Sequence, residues 1–214
     1  FYKKSMSFLA DNCSSFINTG MNYTDLEDAR FGGYLGHVEC GGFCSINLTG
    51  AHFGRANLNY ANFMFADLTD TSFSRADLSN ADLRFTDLTN VHLQEAQLIG
   101  ARLDYAKMID GWLRYADFTD AELRYANFTN ASMWHVDLNN ADLRDVILTG
   151  ASALNADFTD ADLRNADLTN AYLQYADLTD ASFNSATVTN ANFGNTIWSN
   201  TIWTDGNAYD TNQA

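Results

Sequence analysis

The chain has 214 residues, no Pro, and a net charge of −15 from 27 acidic and 12 basic side chains. This negative charge argues against nucleic acids and anionic membranes as direct ligands, and it favours a basic surface on another protein. No apolar run reaches the ~18 residues that a membrane span needs, so the sequence predicts no membrane insertion.

The N-terminal segment, residues 1–23, is predicted to be a cap built on a short amphipathic helix. Its apolar side chains recur at helical spacing, and Gly20 is placed to end the helix. These apolar side chains are Tyr2, Met6, Leu9, Cys13, Phe16 and Ile17. We expect the helix to cover one end of the structure that follows, because an uncovered end exposes unpaired backbone groups and apolar core.

Residues 24–40 are predicted to be irregular first repeats, because residues 24–33 form two pentapeptides in a frame that the following repeats do not keep. The three cysteines are Cys13, Cys40 and Cys44. Two alternatives stay open for them. Either all three are buried thiols, or two of them form a disulfide that links the cap to the start of the repeats, which would indicate an oxidising compartment. The paired C-x-x-C spacing of many zinc sites is absent, so no metal is predicted.

Residues 41–205 are 33 consecutive pentapeptides in one frame. The first position is Ala in 23 of them, and the third position is a large apolar residue in 32, with Ala153 as the exception. On a helix, side chains five residues apart are rotated by ~140° from one another, so they do not form one apolar stripe. On a flat strand, side chains five residues apart point to opposite faces. A coil completed by several pentapeptides satisfies the period, so the sequence predicts a solenoid.

The A(D/N)LXX pattern resembles the pentapeptide repeat family. It is clearest in residues 156–180, which read ADFTD, ADLRN, ADLTN, AYLQY and ADLTD. The resemblance implies an all-β fold, a right-handed quadrilateral β-helix in which each pentapeptide forms one side and four complete a coil. The first and third positions then point into the shaft, and the second, fourth and fifth positions face solvent.

Sorting the outward positions by coil predicts four faces, and one of them carries carboxylates without any Lys or Arg. We call these carboxylates the acidic ladder: Asp77, Asp117, Asp120, Asp137, Asp157, Asp160, Asp177 and Asp180. Like charges repeated every ~4.8 Å along stacked strands repel one another. Either surplus stability tolerates this repulsion, or a cationic partner relieves it.

The next face mixes acidic residues with five arginines, and we expect ion pairs along and across its coils. These arginines are Arg84, Arg102, Arg124, Arg144 and Arg164. Another face is rich in rings, and we call it the aromatic face. Its candidate protein-binding residues are Trp112, Tyr115, Trp134, His135, Tyr172 and Tyr175. Exposed rings beside Arg are typical of a protein interface, but rings on successive coils also stack on one another, and both interpretations stay open.

At the C-terminal end, Trp198 and Trp203 occupy the third position, where Leu is usual. Two alternatives stay open: the rings fill the last coil, or they form an apolar surface for a partner or for a second copy, giving a homodimer through this end. Residues 206–214 are polar and are predicted to be a flexible tail.

No catalytic, cofactor-binding or metal site is predicted. The four His are scattered, and neither G-x-S-x-G, HExxH nor a Gly-rich phosphate loop occurs. The leading hypothesis is a non-catalytic binding or scaffold rod that docks onto a larger protein assembly through the aromatic face or the Trp198/Trp203 end. The alternative, implied by the family resemblance, is a DNA mimic that inhibits or protects a type II topoisomerase through its acidic face.

The resemblance also bears on the compartment. Family members with highly regular repeats include proteins of the thylakoid lumen, and the start at Phe1 together with the N-terminal cysteines fits that group. We therefore expect an exported or organellar lumen, with a photosynthetic or other membrane-associated complex as the assembly, rather than the bacterial cytoplasm.

Overall fold

The computed structural model describes Gly20, Thr24, Glu27 and residues 46–209. The rest of the predicted cap and of the irregular first repeats, together with Cys13, Cys40 and Cys44, lies outside the described residues. Gly20 forms a parallel bridge with His52, and the Thr24 carbonyl accepts a hydrogen bond of 2.8 Å from the Asn57 amide. These two contacts place Gly20 and Thr24 against the first described coil.

Every second-position residue forms a parallel bridge with the residue 20 positions later, from Asn47↔Asp67 to Ser182↔Ile202. Third-position amides add further bonds between coils, such as Leu48 N to the Asp67 carbonyl at 2.8 Å. Four pentapeptides therefore complete one coil, as predicted, and each side of the coil contributes a single bridging residue. Within the described residues, no helix has the length and apolar composition needed to span a membrane.

Each corner between two sides is a β-turn. The first-position amide donates to the carbonyl three residues earlier, as Ala51 N does to Leu48 O at 2.9 Å. Every fifth-position residue from Gly50 to Asn200 has a positive φ, between 53° and 66°. Positive φ at the third residue of a turn is the mark of type II, which favours Gly and Asn. The turn explains why Asn, Asp and Gly are common at the fifth position.

The shaft is filled by the third-position side chains and lined by the small first-position ones. Phe53 and Phe73 stack at 5.0 Å, and Phe63 meets both of them edge to face. Ala153, the exception in the pattern, is buried with the others. A first-position Thr is also tolerated inside, because its hydroxyl donates to a backbone carbonyl: Thr71 Oγ1 lies 3.0 Å from Leu48 O.

The C-terminal end is covered by a short hairpin. Strand β1 (Thr201–Ile202) pairs antiparallel with strand β2 (Ala208–Tyr209), with Thr201 opposite Tyr209. The Asp205 carboxylate holds the turn by accepting bonds from the Asn207 amide at 3.0 Å and the Tyr209 hydroxyl at 2.9 Å. Part of the segment predicted to be a flexible tail is therefore a paired strand, and residues 210–214 lie outside the described residues.

Replacing Gly150 by Ala is expected to lower the free energy of unfolding by about 1–2 kcal/mol, the cost of an L-residue in the left-handed region. Gly150 has φ +66°, and an added Cβ would lie 2.7 Å from Asn130 Oδ1. Urea denaturation of the variant measures the change. Gly194→Ala is the matched control, since Gly194 is not among the positive-φ glycines, and an equal loss in both variants would contradict the turn argument.

Candidate functional site

The four faces are separate surfaces of the shaft. Bridges such as Trp112↔Ser132 and Asp117↔Asp137 show that residues 20 apart lie side by side on adjacent coils. Each column of outward side chains therefore runs along the rod. The charge and polarity of a column are set by residues spaced 20 apart in the sequence.

On the aromatic face, the structure brings four of the six predicted residues together on two adjacent coils. They are Trp112, Tyr115, Trp134 and His135. The other two, Tyr172 and Tyr175, lie on the same face two coils further along, beyond Ser152 and Leu154. The five Trp and Tyr side chains are 38–60% exposed, although Trp112 stacks on His92 and Tyr115 stacks on His135. The stacking interpretation therefore holds for these two residues. The rings still present apolar surface to solvent, and their use as an interface stays a prediction.

Contacts fix the orientation of the four-ring cluster. The Tyr115 and His135 rings stack at 4.9 Å, and the Arg114 guanidinium lies 4.3 Å from the centre of the Trp134 ring. Trp134 Nε1 donates to Ser152 Oγ at 2.7 Å. A cation held over an indole adds roughly 0.5–1 kcal/mol at an exposed site. The cluster is therefore organised before any partner arrives.

The aromatic face has few charges for such an acidic chain. From residue 111 to residue 195 its pentapeptides contain no Asp or Glu. Glu95, which precedes this stretch, is paired with Arg75 through a hydrogen bond of 2.8 Å. A partner can approach this face without burying an unpaired carboxylate, which would be costly.

The acidic ladder has a role in the backbone that sequence reasoning missed. The second-position Asp side chains accept hydrogen bonds from the amide two residues later: Asp117 from Thr119 at 2.9 Å, and Asp157 from Thr159 at 2.8 Å. Asp77, Asp137 and Asp177 make the same bond. These bonds form Asx-turns, which lead the chain into each corner. The preference for Asp or Asn at the second position therefore has a structural cause.

The remaining ladder residues, Asp120, Asp160 and Asp180, are fifth-position residues at the neighbouring corner. Asn140 donates to Asp120 and Asn200 donates to Asp180, both at 2.6 Å. Among residues 46–209, no Lys or Arg forms an ion pair with any of the eight ladder carboxylates. The ladder is a solvent-facing negative surface in the described part of the chain.

The mixed face forms the expected ion pairs, and we call it the ion-pair face. Arg144 bridges two coils, with 2.6 Å to Asp142 and 3.7 Å to Asp162. Asp104 is buried and accepts bonds from the Arg124 amide and guanidinium at 3.1 Å. Burial favours the protonated form of Asp142, but hydrogen bonds from Arg144 and the nearby arginine charges outweigh it and hold the pKa of Asp142 below its ordinary value.

Acid is expected to weaken the fold as these carboxylates are protonated. The pKa of Asp167 is also lowered, chiefly by the hydrogen bond from the Thr169 hydroxyl. A lowered folded-state pKa contributes stability above the unfolded pKa, and that stability is lost as pH falls through the folded value. Urea midpoints should therefore drop below about pH 4, the ordinary pKa of Asp. Asp142→Asn should show a shallower drop than the parent chain, and an identical pH dependence would contradict the assignment.

Trp198 and Trp203 lie inside the end of the shaft, with 6% and 9% of their surfaces exposed. Their rings meet at 4.8 Å, and Trp203 also packs on Phe193 at 5.2 Å. The structure thus corresponds to the first alternative, in which the rings fill the last coil, and it places neither ring where a partner would contact it.

A column of aromatic side chains at another corner was not predicted as a site. Phe65, Phe85, Tyr105 and Tyr125 are fifth-position residues on four successive coils, and their rings stack at 5.1, 4.9 and 4.7 Å. We call them the corner column. The corner lies between the ion-pair face and the next face along the chain, which includes residues 86–90, 106–110 and 126–130. Comparing fifth positions 20 residues apart would have revealed the column from the sequence.

Among the described residues, no group of three or more His, Cys, Asp or Glu is arranged to hold a metal ion. A shallow depression of about 450 Å³ lies near the C-terminal end, lined by Asp160, Asp162, Arg164 and Asp180 among others. Because Asp162 and Arg164 already pair with each other at 2.6 Å, the depression shows no set of unlike groups converging on one point.

Stacked coils with a filled shaft and four independent faces define a β-helical solenoid. The family model for pentapeptide repeats matches eight copies, over residues 46–84, 76–111, 108–133, 126–165 and 161–200. The chain belongs to the pentapeptide repeat family. Members of this family are generally non-catalytic structural or binding proteins.

Solved structures agree with this assignment. QnrB1, a plasmid-mediated fluoroquinolone resistance protein, is 18% identical, with 83% of this chain and 84% of that chain covered and a TM-score of 0.71. Since the family fold is the right-handed quadrilateral β-helix, this likeness shows the same fold here.

Two further solved structures are similar in sequence. HetL of the cyanobacterium Nostoc sp. strain PCC 7120, involved in heterocyst differentiation regulation, is 24% identical over 91% and 93% of the two chains, with a TM-score of 0.34. A pentapeptide repeat protein of the Arabidopsis thaliana thylakoid lumen is 28% identical over 54% and 66%, with a TM-score of 0.20. No curated protein sequence matches the chain.

Proposed function

We propose that this chain is a non-catalytic protein-binding rod that docks onto a larger protein assembly through its aromatic face. The observation that carries the proposal is the cluster of Trp112, Tyr115, Trp134 and His135, which is fixed in orientation and yet exposed to solvent. Aromatic residues and Arg are enriched at interface hot spots, where they account for most of the binding energy. Tyr172 and Tyr175 extend the surface toward the C-terminal end.

The rigidity of the face supports this proposal. Its backbone is bonded to the coils on both sides, and its side chains are held by stacking and by bonds such as that from Trp134 to Ser152. Little conformational entropy is then lost when a partner binds, which favours affinity. The compartment and the identity of the assembly stay predictions of the sequence, with an organellar or exported lumen as the expectation.

The alternative function is mimicry of duplex DNA toward a type II topoisomerase. It is favoured by the acidic ladder, whose residues Asp117, Asp137, Asp157 and Asp177 follow one another on four coils. Stacked strands repeat every ~4.8 Å, so the ladder is a closely spaced row of negative charge. At 18% identity, QnrB1 shares only the fold with this chain.

Partner capture with two variants separates the functions. One variant carries Trp112→Ala and Trp134→Ala, and the other replaces Asp117, Asp137, Asp157 and Asp177 by Asn. If the aromatic face binds, the captured protein is lost with the Trp variant and retained with the Asn variant, including at about 0.5 M salt, where exposed charges are screened. A DNA mimic gives the reverse result and loses its partner steeply with salt.

The control is Ile99→Ala, because Ile99 is an exposed apolar residue on the acidic face, outside the aromatic cluster. It should capture the same protein as the parent chain. If neither the Trp variant nor the Asn variant reduces the capture of any protein, both proposed functions name the wrong binding surface.

A further inference from the structure

The corner column is the largest stacked array of exposed rings that the proposed function does not use. Phe85, Tyr105 and Tyr125 are each 46–47% exposed. Neighbouring rings are almost parallel, with interplanar angles of 13°, 6° and 10° along the column. The ring edges therefore form a continuous apolar ridge along one corner of the rod.

The fold does not require rings at this corner. Phe85, Tyr105 and Tyr125 have φ between 59° and 61°, a region that Asn, Asp and Gly adopt more readily than aromatic residues. The same corner continues with Asp145, Asn165 and Ser185, which have φ of 58°, 61° and 62°. The aromatic residues thus occupy a backbone conformation that disfavours them, at positions where other residues complete the same turn.

The charges beside the ridge are arranged so that two copies can meet. On one side lies the ion-pair face, where Arg84 is neutralised by Asp82 at 2.6 Å. On the other side Asp87 and Lys107 lie on adjacent coils, 3.6 Å apart, with 41% and 59% of their side chains exposed. Asp87 follows Phe85 by two residues and Lys107 follows Tyr105 by two, so the two rings of the central pair have charges of opposite sign beside them.

We propose that the corner column is a homodimer interface, in which two copies pack antiparallel about a twofold axis that passes between Phe85 and Tyr105. This axis sets Phe85 against Tyr105 of the second copy, and Lys107 against Asp87 of the second copy. Both contacts occur twice, as an isologous interface demands. An in-register parallel pairing would instead set Asp87 and Lys107 beside the ion-pair face of the second copy, where this match of opposite charges is lost.

The net charge of the chain limits which surfaces can meet. Two copies at −15 each repel, and the acidic ladder is the surface least able to face itself. The corner column is diagonally opposite the corner where the acidic and aromatic faces join, so the dimer keeps both ladders apart. It also leaves two aromatic faces free for partners, which raises avidity toward an assembly with repeated sites.

Sedimentation equilibrium of the purified full chain tests the interface. The parent chain is expected to dimerise with rising concentration, and the variant with Phe85→Asn and Tyr105→Asn is expected to bind itself at least about tenfold more weakly, since central aromatic residues dominate interface energies. Asn suits positive φ, so this variant should keep its circular dichroism spectrum and its urea midpoint. Tyr60→Asn, which removes an exposed ring at another corner, should dimerise like the parent chain.

Charge reversal tests the antiparallel register. Asp87→Lys and Lys107→Glu should each weaken the homodimer, because each sets like charges against one another twice. An equimolar mixture of the two variants should restore the dimer as a heterodimer. In that heterodimer the two reversed side chains face each other with opposite charges, and the native Asp87 of one chain faces the native Lys107 of the other. A monomeric parent chain, a dimer that survives the double Asn variant, or a mixture that stays monomeric would overturn the proposal.

Discussion

Replacing Phe118 by Ala is expected to lower the free energy of unfolding by about 3–5 kcal/mol, the usual cost of deleting a buried ring. Phe118 is completely buried at the third position and meets Phe128 edge to face at 6.2 Å. Each coil is bonded to the coils on both sides, so the neighbouring backbone cannot move in to fill the cavity that the deleted ring leaves. Urea denaturation, followed by circular dichroism, measures the loss.

Tyr115→Ala is the control for this substitution. Tyr115 lies in the preceding pentapeptide but is 60% exposed, so its removal leaves no cavity. It should change stability by about 0.5 kcal/mol or less, as is usual for surface positions. If Phe118→Ala were equally mild, the third position would not be the core of the shaft.

The second large effect is expected from the acidic ladder, and it separates the structural role of the carboxylates from their charge. Replacing Asp117, Asp137, Asp157 and Asp177 by Ala removes four hydrogen bonds to backbone amides, each worth about 1 kcal/mol. Replacing them by Asn removes the same charges and keeps the bonds, as Asn127 shows by accepting from the Thr129 amide at 2.9 Å. The free energy of unfolding of the Ala variant should therefore be about 4 kcal/mol lower than that of the Asn variant.

The Asn variant itself should match or exceed the parent chain in stability, because it loses like-charge repulsion along the ladder. Urea denaturation of the three proteins at low and high salt gives the comparison. Equal stability of the Ala and Asn variants would show that the Asx-turns contribute nothing. In that case the carboxylates would have no structural role, and binding a partner would be the role left for them.

The period of five predicted most of the fold. A repeat of this length leaves few ways for Leu163, Leu168, Leu173 and Leu178 to share one interior, and all four are completely or almost completely buried. The ion pair of Arg124 with Asp104 was also predictable, since residues 20 apart become neighbours once the coil is known. In both cases a local pattern determines which atoms meet.

Other features depend on backbone geometry that the pattern does not state. The frequent Asn, Asp and Gly at the fifth position are visible in the sequence, but their cause is the positive φ at every corner. The same holds for the ladder, where Asp117 looks like a solvated charge until its bond to the Thr119 amide is seen. For Trp198, the third position predicts an inward ring, but whether the last coil is covered depends on the hairpin that follows.

The claim on which the whole account depends is that residues 20 apart lie side by side on the surface. The substitutions Ser132→Cys and Ser152→Cys, at two residues that bridge in the structure, test this directly in a background where Cys13, Cys40 and Cys44 are replaced by Ser. Mild oxidation should join the two introduced thiols rapidly, since neighbouring strands bring Cα atoms within the roughly 4.4–6.8 Å that a disulfide spans. Ser132→Cys with Asp142→Cys, at positions 10 residues apart and on opposite faces, should stay reduced. If this second pair formed the bond as readily as the first, the four-sided coil and every surface assigned from it would be wrong.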